Sequence, residues 1–260
     1  MILLNNVIQE GNGFSEKIFE TGLSIYEVIR VFNGHPIFLK DNLMRLDNSL
    51  NKSNIGIRVE SLNIPDKLNR LINLEHITEG NLKYVLHFTG DNPDEYIFQI
   101  PHAYPRTQDY ENGVPVMTCE AVRKQPEVKY INPELRALTD RLIHENQVYE
   151  VLLVDTEGYI TEGSRSNVFF IKKDTLYTTP TEYVLPGTSR KRVFDICQKY
   201  HLPVIEERIA CQKLPTFDAV FLTGTSPLLL PINQINDIRY AVHSPFLRQL
   251  MSYYFALLDK

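Results

Sequence analysis

The feature that most constrains this chain is the run from Ile25 to Phe32, together with the turn and second apolar stretch just after it. The run is rich in β-branched and aromatic side chains. Asn33-Gly34 interrupts it, and His35-Pro36-Ile37-Phe38 resumes the apolar character. Asn-Gly accepts the positive φ angles of a tight hairpin turn at little steric cost, so the stretch predicts paired antiparallel strands. Leu39, Leu43, Leu46 and Leu50 then recur at helical spacing. Pro65 opens a second short helix carrying Leu68, Leu71 and Ile72. Strands and helices are therefore mixed from the outset.

The pattern of short strands and helices extends down the chain. Leu82, Tyr84, Leu86 and Phe88 alternate with Lys83, Val85, His87 and Thr89, the pattern of a half-buried strand, and Tyr96 to Ile100 is its expected partner. Pro101 to Gly113 has the prolines, polar residues and glycine of a linker. A strand comes next, near Val116 to Val122. Asn132-Pro133-Glu134 starts a helix whose apolar face is Leu135, Leu138, Leu142 and Ile143. Tyr149 to Val154 reads as a strand, turned at Thr156-Glu157-Gly158 into further strands up to Thr178. Ser189 to Tyr200 reads as a helix, Val220 to Thr223 as a strand, and Ser244-Pro245 as the cap of a final helix. The expected fold is α/β with α+β character. It has a small N-terminal domain over 1–103, a linker over 104–114 and a larger C-terminal domain over 115–260.

Composition narrows the function. A chain of 260 residues, 43% hydrophobic and 23% charged, has an ordinary globular balance and can bury a substantial core. The net charge of -5 comes without a basic stripe, which argues against a nucleic-acid partner. Cys119, Cys197 and Cys211 are odd in number and widely spaced, so a disulfide framework or zinc knuckle is not expected. No secretory signal is visible at the N-terminus, and no apolar run approaches the ~18 residues of a membrane span. The expected location is the cytoplasm. GxGxxG, GxxxxGK[ST], HExxH and GxSxG are absent, and the seven histidines show no ligand spacing, so no metal is expected.

Some segments can carry chemistry, and each also has an ordinary structural explanation. Lys129, in Val128-Lys-Tyr-Ile-Asn132, lies between a strand and a helix cap. In an apolar pocket it would be a nucleophile for carbonyls, and otherwise it is a surface lysine. Glu162, in Thr161-Glu-Gly-Ser-Arg-Ser-Asn167, ends an apolar strand. If buried it needs a cationic or hydrogen-bonding partner, for which a pyridinium nitrogen qualifies, and otherwise it is a solvated hairpin residue. Leu185-Pro-Gly-Thr-Ser-Arg190 precedes a helix whose first amides suit a phosphate, although Thr188 or Ser189 would also serve as a plain N-cap. Thr223-Gly-Thr-Ser-Pro227 is a second turn with a glycine, hydroxyls and amides at a strand end. Two such turns hint at one phosphate held from two sides.

In this order the segments resemble the fold-type IV, or class IV, aminotransferases, a pyridoxal-phosphate family. It includes branched-chain aminotransferases, D-amino-acid transaminases and 4-amino-4-deoxychorismate lyases. The resemblance runs from about Ser24 to Asp237 and includes Tyr26-Glu-Val-Ile-Arg-Val31 and Asn42-Leu-Met-Arg-Leu46. It implies the two-domain architecture of that fold type, with pyridoxal 5'-phosphate held by the C-terminal domain. It implies that Lys129 forms the Schiff base and, once displaced by the substrate amine, shuttles a proton between substrate Cα and cofactor C4′. Glu162 is implied to pair with the pyridine nitrogen, Arg45 to reach the phosphate, and Leu185 to pack on the ring. Thr188, Ser189, Gly224 and Thr225 are implied to form the phosphate cradle. The family also implies amino-acid and 2-oxo-acid substrates and a homodimer.

The sequence departs from the family pattern in places. The usual glycine-rich opening is reduced to Glu20-Thr-Gly-Leu-Ser-Ile25, and Thr188 replaces a common isoleucine. Thr89 stands where many D-amino-acid transaminases and deoxychorismate lyases carry an arginine. Candidates for the substrate carboxylate are then Tyr26, Arg30 and His87, followed by Lys83, Arg165 or backbone amides. Branched-chain L-amino acids become the default donors by elimination. A pyruvate-eliminating lyase and a D-amino-acid transaminase are the alternatives, and a cofactor-binding dimer without turnover ranks behind both.

Overall fold

The computed structural model describes residues 1–258. It divides into two units. The first holds Met1–Ala103 together with Val128–Pro133, and the second holds Tyr104–Glu127 and the chain from Glu134 onward. This differs in one respect from a division at 104–114. The segment bearing Lys129 belongs with the first unit, because it hydrogen-bonds along a strand of that unit.

The first unit is built on strands β1 (Ile2–Leu4), β2 (Val7–Gln9), β3 (Leu23–Phe32), β4 (His35–Pro36), β5 (Gly80–Phe88) and β6 (Asp94–Ile100), with helices α1 (Leu39–Lys52) and α2 (Ile64–Leu74) between β4 and β5. The strand order is β2-β1-β6-β5-β3-β4. The Asn33-Gly34 turn and both helices fall where the sequence places them. β3 and β5 pair antiparallel over nearly their whole length, from Leu23 opposite Phe88 to Val31 opposite Gly80. One sheet face carries Ile25, Ile29, Val31, Leu82, Tyr84 and Leu86 against Leu46 and Leu50 of α1 and Leu68 and Leu71 of α2.

The other sheet face is also covered. Val85, Tyr96 and Phe98 pack with Phe19, from a short 3-10 helix over Glu16–Glu20, and with Phe14. β5 is therefore buried on both faces rather than half-buried, with Val85 and His87 both buried. The alternation in the sequence reflects two differently filled faces, and the residues covering the second one lie upstream of β3.

Period-two geometry sends Glu27 to the helix side of β3. It is buried, and a buried carboxylate needs compensation. Arg45 of α1 provides it, donating from Nε at 2.8 Å and Nη2 at 2.6 Å, and Asn42 adds Nδ2 at 2.9 Å. Burial works against the charged guanidinium, but Glu27 outweighs it and Arg45 stays protonated.

The second unit holds α3 (Thr107–Asn112), β7 (Val114–Glu120), α4 (Pro133–Asn146), β8 (Glu150–Val154), β9 (Tyr159–Gly163), β10 (Asn167–Lys172), β11 (Thr175–Thr178), α5 (Thr188–Tyr200), β12 (Val204–Glu206), β13 (Ile209–Ala210), β14 (Ala219–Gly224), β15 (Leu228–Ile235), β16 (Ile238–Arg239) and α6 (Pro245–Phe255). Its sheet runs β12-β11-β10-β14-β15-β7-β8-β9-β13, with β16 paired to β15. The core includes Leu152, Val168, Phe170, Val220, Leu222, Leu230 and Ile232. Part of the expected linker is the helix α3. The leucines expected as the apolar face of α4 are only half-buried, and Thr139 is its buried residue. Ser244 precedes α6, but its side chain makes no capping bond, and Pro245 at the first position sets the helix start.

The Glu27–Arg45 pair gives a direct stability test. Arg45→Met alone strands a buried carboxylate and is expected to cost about 3–5 kcal/mol in urea unfolding. The double variant Glu27→Leu/Arg45→Met, which removes both charges, is expected to recover most of that loss.

Candidate active site

The second unit places Glu162 at the end of β9 and Asn167 at the start of β10, joined by a tight turn. Glu150, at the head of β8, clamps that turn. Its Oε1 accepts from Val151 N at 2.9 Å and Ser164 Oγ at 2.6 Å, and its Oε2 from Arg165 N at 3.1 Å and Ser166 Oγ at 2.8 Å. Three donors from the turn on one buried carboxylate fix it, and with it the direction of its two flanking side chains. A Cβ on Gly163 would collide with Ser166 Oγ, so this residue has no room for a side chain.

Glu162 is 2% exposed, which excludes the solvated hairpin. Its Oε1 accepts from Arg123 Nε at 2.7 Å, and its Oε2 accepts from Leu185 N at 3.0 Å and lies 3.4 Å from Asn167 Nδ2. Arg123 also reaches Ser164 O with Nη2 at 3.1 Å. Sequence reasoning missed Arg123. The need for a cation beside a buried carboxylate was foreseeable, but nothing local marks which of the 27 Lys and Arg supplies it. Leu185 enters through its backbone as well, since its carbonyl accepts from Asn167 Nδ2 at 2.9 Å.

The two glycine turns meet in this unit. Gly187 is the N-cap of α5, and no side chain caps the helix. Thr188 and Ser189 therefore do not act as the plain cap. Both lie inside the first turn and are buried, and Ser189 Oγ donates to Gly224 O at 3.0 Å, tying the start of α5 to the end of β14. Gly187 packs against Asn167, whose Oδ1 would collide with any Cβ there. Arg190, next along, is occupied with Thr179 O at 2.9 Å and Glu206 at 2.6 Å. Thr223 Oγ1 is buried and has no hydrogen-bond partner among the described residues, immediately before Gly224 and Thr225. A buried hydroxyl left without a partner is costly unless a ligand satisfies it. With the N-terminus of α5, it forms a set of donors suited to an anionic oxygen group. These residues fit a phosphorylated cofactor, and Glu162 fits its protonated ring nitrogen.

The first unit carries the remaining candidates. The segment Val128–Pro133 runs along the edge of β3 as an antiparallel neighbour. Ile25 bridges Tyr130, Tyr26 N donates to Lys129 O at 3.0 Å, and Ile131 N donates to Ser24 O at 2.9 Å. This register puts Lys129 opposite Tyr26 on one sheet face. The Lys129 ammonium lies 4.7 Å from the Tyr26 ring centroid, and Ser49 Oγ of α1 accepts from Lys129 N at 3.1 Å. Tyr26, Arg30 and His87 share that face by strand alternation and the β3–β5 register. Arg30 is buried. His87 Nδ1 is 2.8 Å from Ser24 Oγ, and its ring stands edge-on to Phe19 at 5.4 Å. Arg45 is on the opposite side of the sheet from Tyr26, with two of its nitrogens on Glu27. Among the described residues, no cluster of His, Cys, Asp or Glu is suited to a metal ion, and no helix is long and apolar enough to cross a membrane.

Gly187→Ala must displace Asn167 and is expected to destabilise the protein by about 1–3 kcal/mol in urea unfolding. Gly56→Ala, with open space around it, is expected to stay within about 0.5 kcal/mol of the parent.

Comparison with known proteins converges on one family. The family model for amino-transferase class IV matches residues 24–235. A D-alanine aminotransferase from Bacillus licheniformis is 25% identical over 230 residues, covering 84% of this chain and 81% of that protein. A branched-chain amino acid aminotransferase from Escherichia coli superposes with a TM-score of 0.85 at 21% identity, over 99% of this chain and 94% of its own. A 4-amino-4-deoxychorismate lyase from Pseudomonas aeruginosa superposes with a TM-score of 0.85 at 18% identity, over 100% of both chains. This chain belongs to the class IV aminotransferases, the pyridoxal-phosphate-dependent enzymes of fold type IV.

Proposed function

We propose that the protein moves an amino group between an amino acid and a 2-oxo acid, with branched-chain L-amino acids as its donors. The observation that carries the donor class is the strand end Phe88-Thr89-Gly90, which contributes no cation where the D-amino-acid and lyase readings would place an arginine.

The chemistry that pyridoxal phosphate supplies when bound is an electron sink for the substrate Cα. The chain's own residues would do the rest. Lys129, held opposite Tyr26, would move the proton between the substrate Cα and the cofactor carbon C4′. Glu162, held by Arg123, orients the ring through its nitrogen. Leu185 gives an apolar contact to the ring. Thr188, Ser189, Gly224 and Thr225 bind the phosphate through hydroxyls and amides. Arg45, whose guanidinium is paired with Glu27, would reach the phosphate. The family likeness also supports a homodimer.

D-alanine transfer is the second reading, supported by the name of the Bacillus licheniformis relative. A panel of L-leucine, L-isoleucine, L-valine and D-alanine against 2-oxoglutarate and pyruvate separates the two. The expected result is highest kcat/KM for the branched L-donors, falling at least about 100-fold in Lys129→Ala. Preference for D-alanine would replace the donor class. Pyruvate release from aminodeoxychorismate without an acceptor would replace transfer by elimination.

A further inference from the structure

We infer that Lys83 is the cation that receives the substrate carboxylate, and that Glu16 holds its place until substrate arrives. The inference rests on the amino-acid and 2-oxo-acid reading above and names the carboxylate-binding group of that same site. Position comes first. Lys83 lies on β5 opposite Val28, one diagonal step from Tyr26, which faces Val85. Tyr26 is in turn opposite Lys129 on the other side of β3. One sheet face therefore carries Lys83, Tyr26 and Lys129 on three adjacent chain segments. The Tyr26 ring takes both ammonium groups, Lys83 at 5.2 Å and Lys129 at 4.7 Å from its centroid.

The surroundings of Lys83 suit an exchangeable anion. Its ammonium is also 5.7 Å from the Phe19 centroid and 6.0 Å from that of Phe98, and its side chain is 12% exposed. Aromatic rings stabilise the cation but give it no charged acceptor. The carboxylate that pairs with it, Glu16, comes from outside the sheet, at the start of the 3-10 helix, and is 45% exposed. Replacing Glu16 by a substrate carboxylate keeps the ammonium paired and returns Glu16 to water. The exchange leaves no charge buried alone, which would be the costly outcome. The other candidates on this face are less suited. His87 is bonded to Ser24 and packed between Phe19 and Tyr96, and Arg30 lies farther along β3, beyond Val28.

The test uses holoenzyme and 4-methylpentanoate, an unreactive carboxylate with a leucine-like tail, titrated by calorimetry. Lys83→Met is expected to weaken its binding about 10- to 100-fold, and Lys83→Arg to hold it within a few-fold of the parent. Glu16→Gln removes the internal competitor and is expected to tighten it. In turnover, the preference in kcat/KM for leucine of the accepted hand over 3-methylbutylamine, the same amine without its carboxylate, is expected to fall about 10- to 100-fold in Lys83→Met. A merely structural lysine would lower both rates together, and that result overturns the inference. So does Lys83→Met binding 4-methylpentanoate as tightly as the parent while the parent turns over amino acids. A parent that turns over no amino donor and binds no carboxylate overturns the proposed function itself.

Discussion

A buried carboxylate needs a cation, and this constraint at Glu27 of β3 organises the first unit. β3 carries Glu27 towards the helices and Tyr26 and Arg30 towards the aromatic side. Glu27 must have a cation, so α1 is held against the sheet by Arg45 and Asn42 as well as by its leucines. With α1 fixed, Ser49 is fixed too, and its hydroxyl helps to hold the Lys129 segment against the edge of β3. The position of Lys129 thus depends on the burial of a glutamate on the opposite face.

The second unit solves the same problem twice. Glu150 is buried and is satisfied by four donors, two of them backbone amides. Glu162 is buried at the other side of the same turn and is satisfied by Arg123 and by Leu185 N. The first carboxylate shapes the turn and the second is aimed by it. The network also reaches the turn before α5, because Asn167 bonds Leu185 O and packs against Gly187. Glu162 and the start of α5 are therefore mechanically joined through one asparagine.

The legible part of the sequence is local. The β3 hairpin, α1, α2, α5 and β14 are each marked by short-range periodicity or by turn residues, and the structure has them. The cluster Glu162, Asn167, Leu185, Ser189 and Gly224 is legible as motifs in order. The remainder is set by long-range pairing. Arg123 meets Glu162 across 39 positions, and no local pattern marks it. The aromatic cover from Phe14 and Phe19 lies in a segment without strand or helix periodicity, so β5 reads as half-exposed from its own residues. Lys129 precedes α4 and so reads as the opening of the second domain, yet its backbone hydrogen bonds run to β3. Only the family resemblance, not spacing, links it to the other site residues.

We propose Lys129, and not its neighbour over the same tyrosine ring, as the lysine that bonds the cofactor. Borohydride reduction of the protein saturated with pyridoxal phosphate, with peptide mass analysis of the product, tests it directly. The reduced cofactor is expected on the peptide containing Lys129, with Lys83 unmodified. Modification of Lys83, or of no lysine at all, would contradict it.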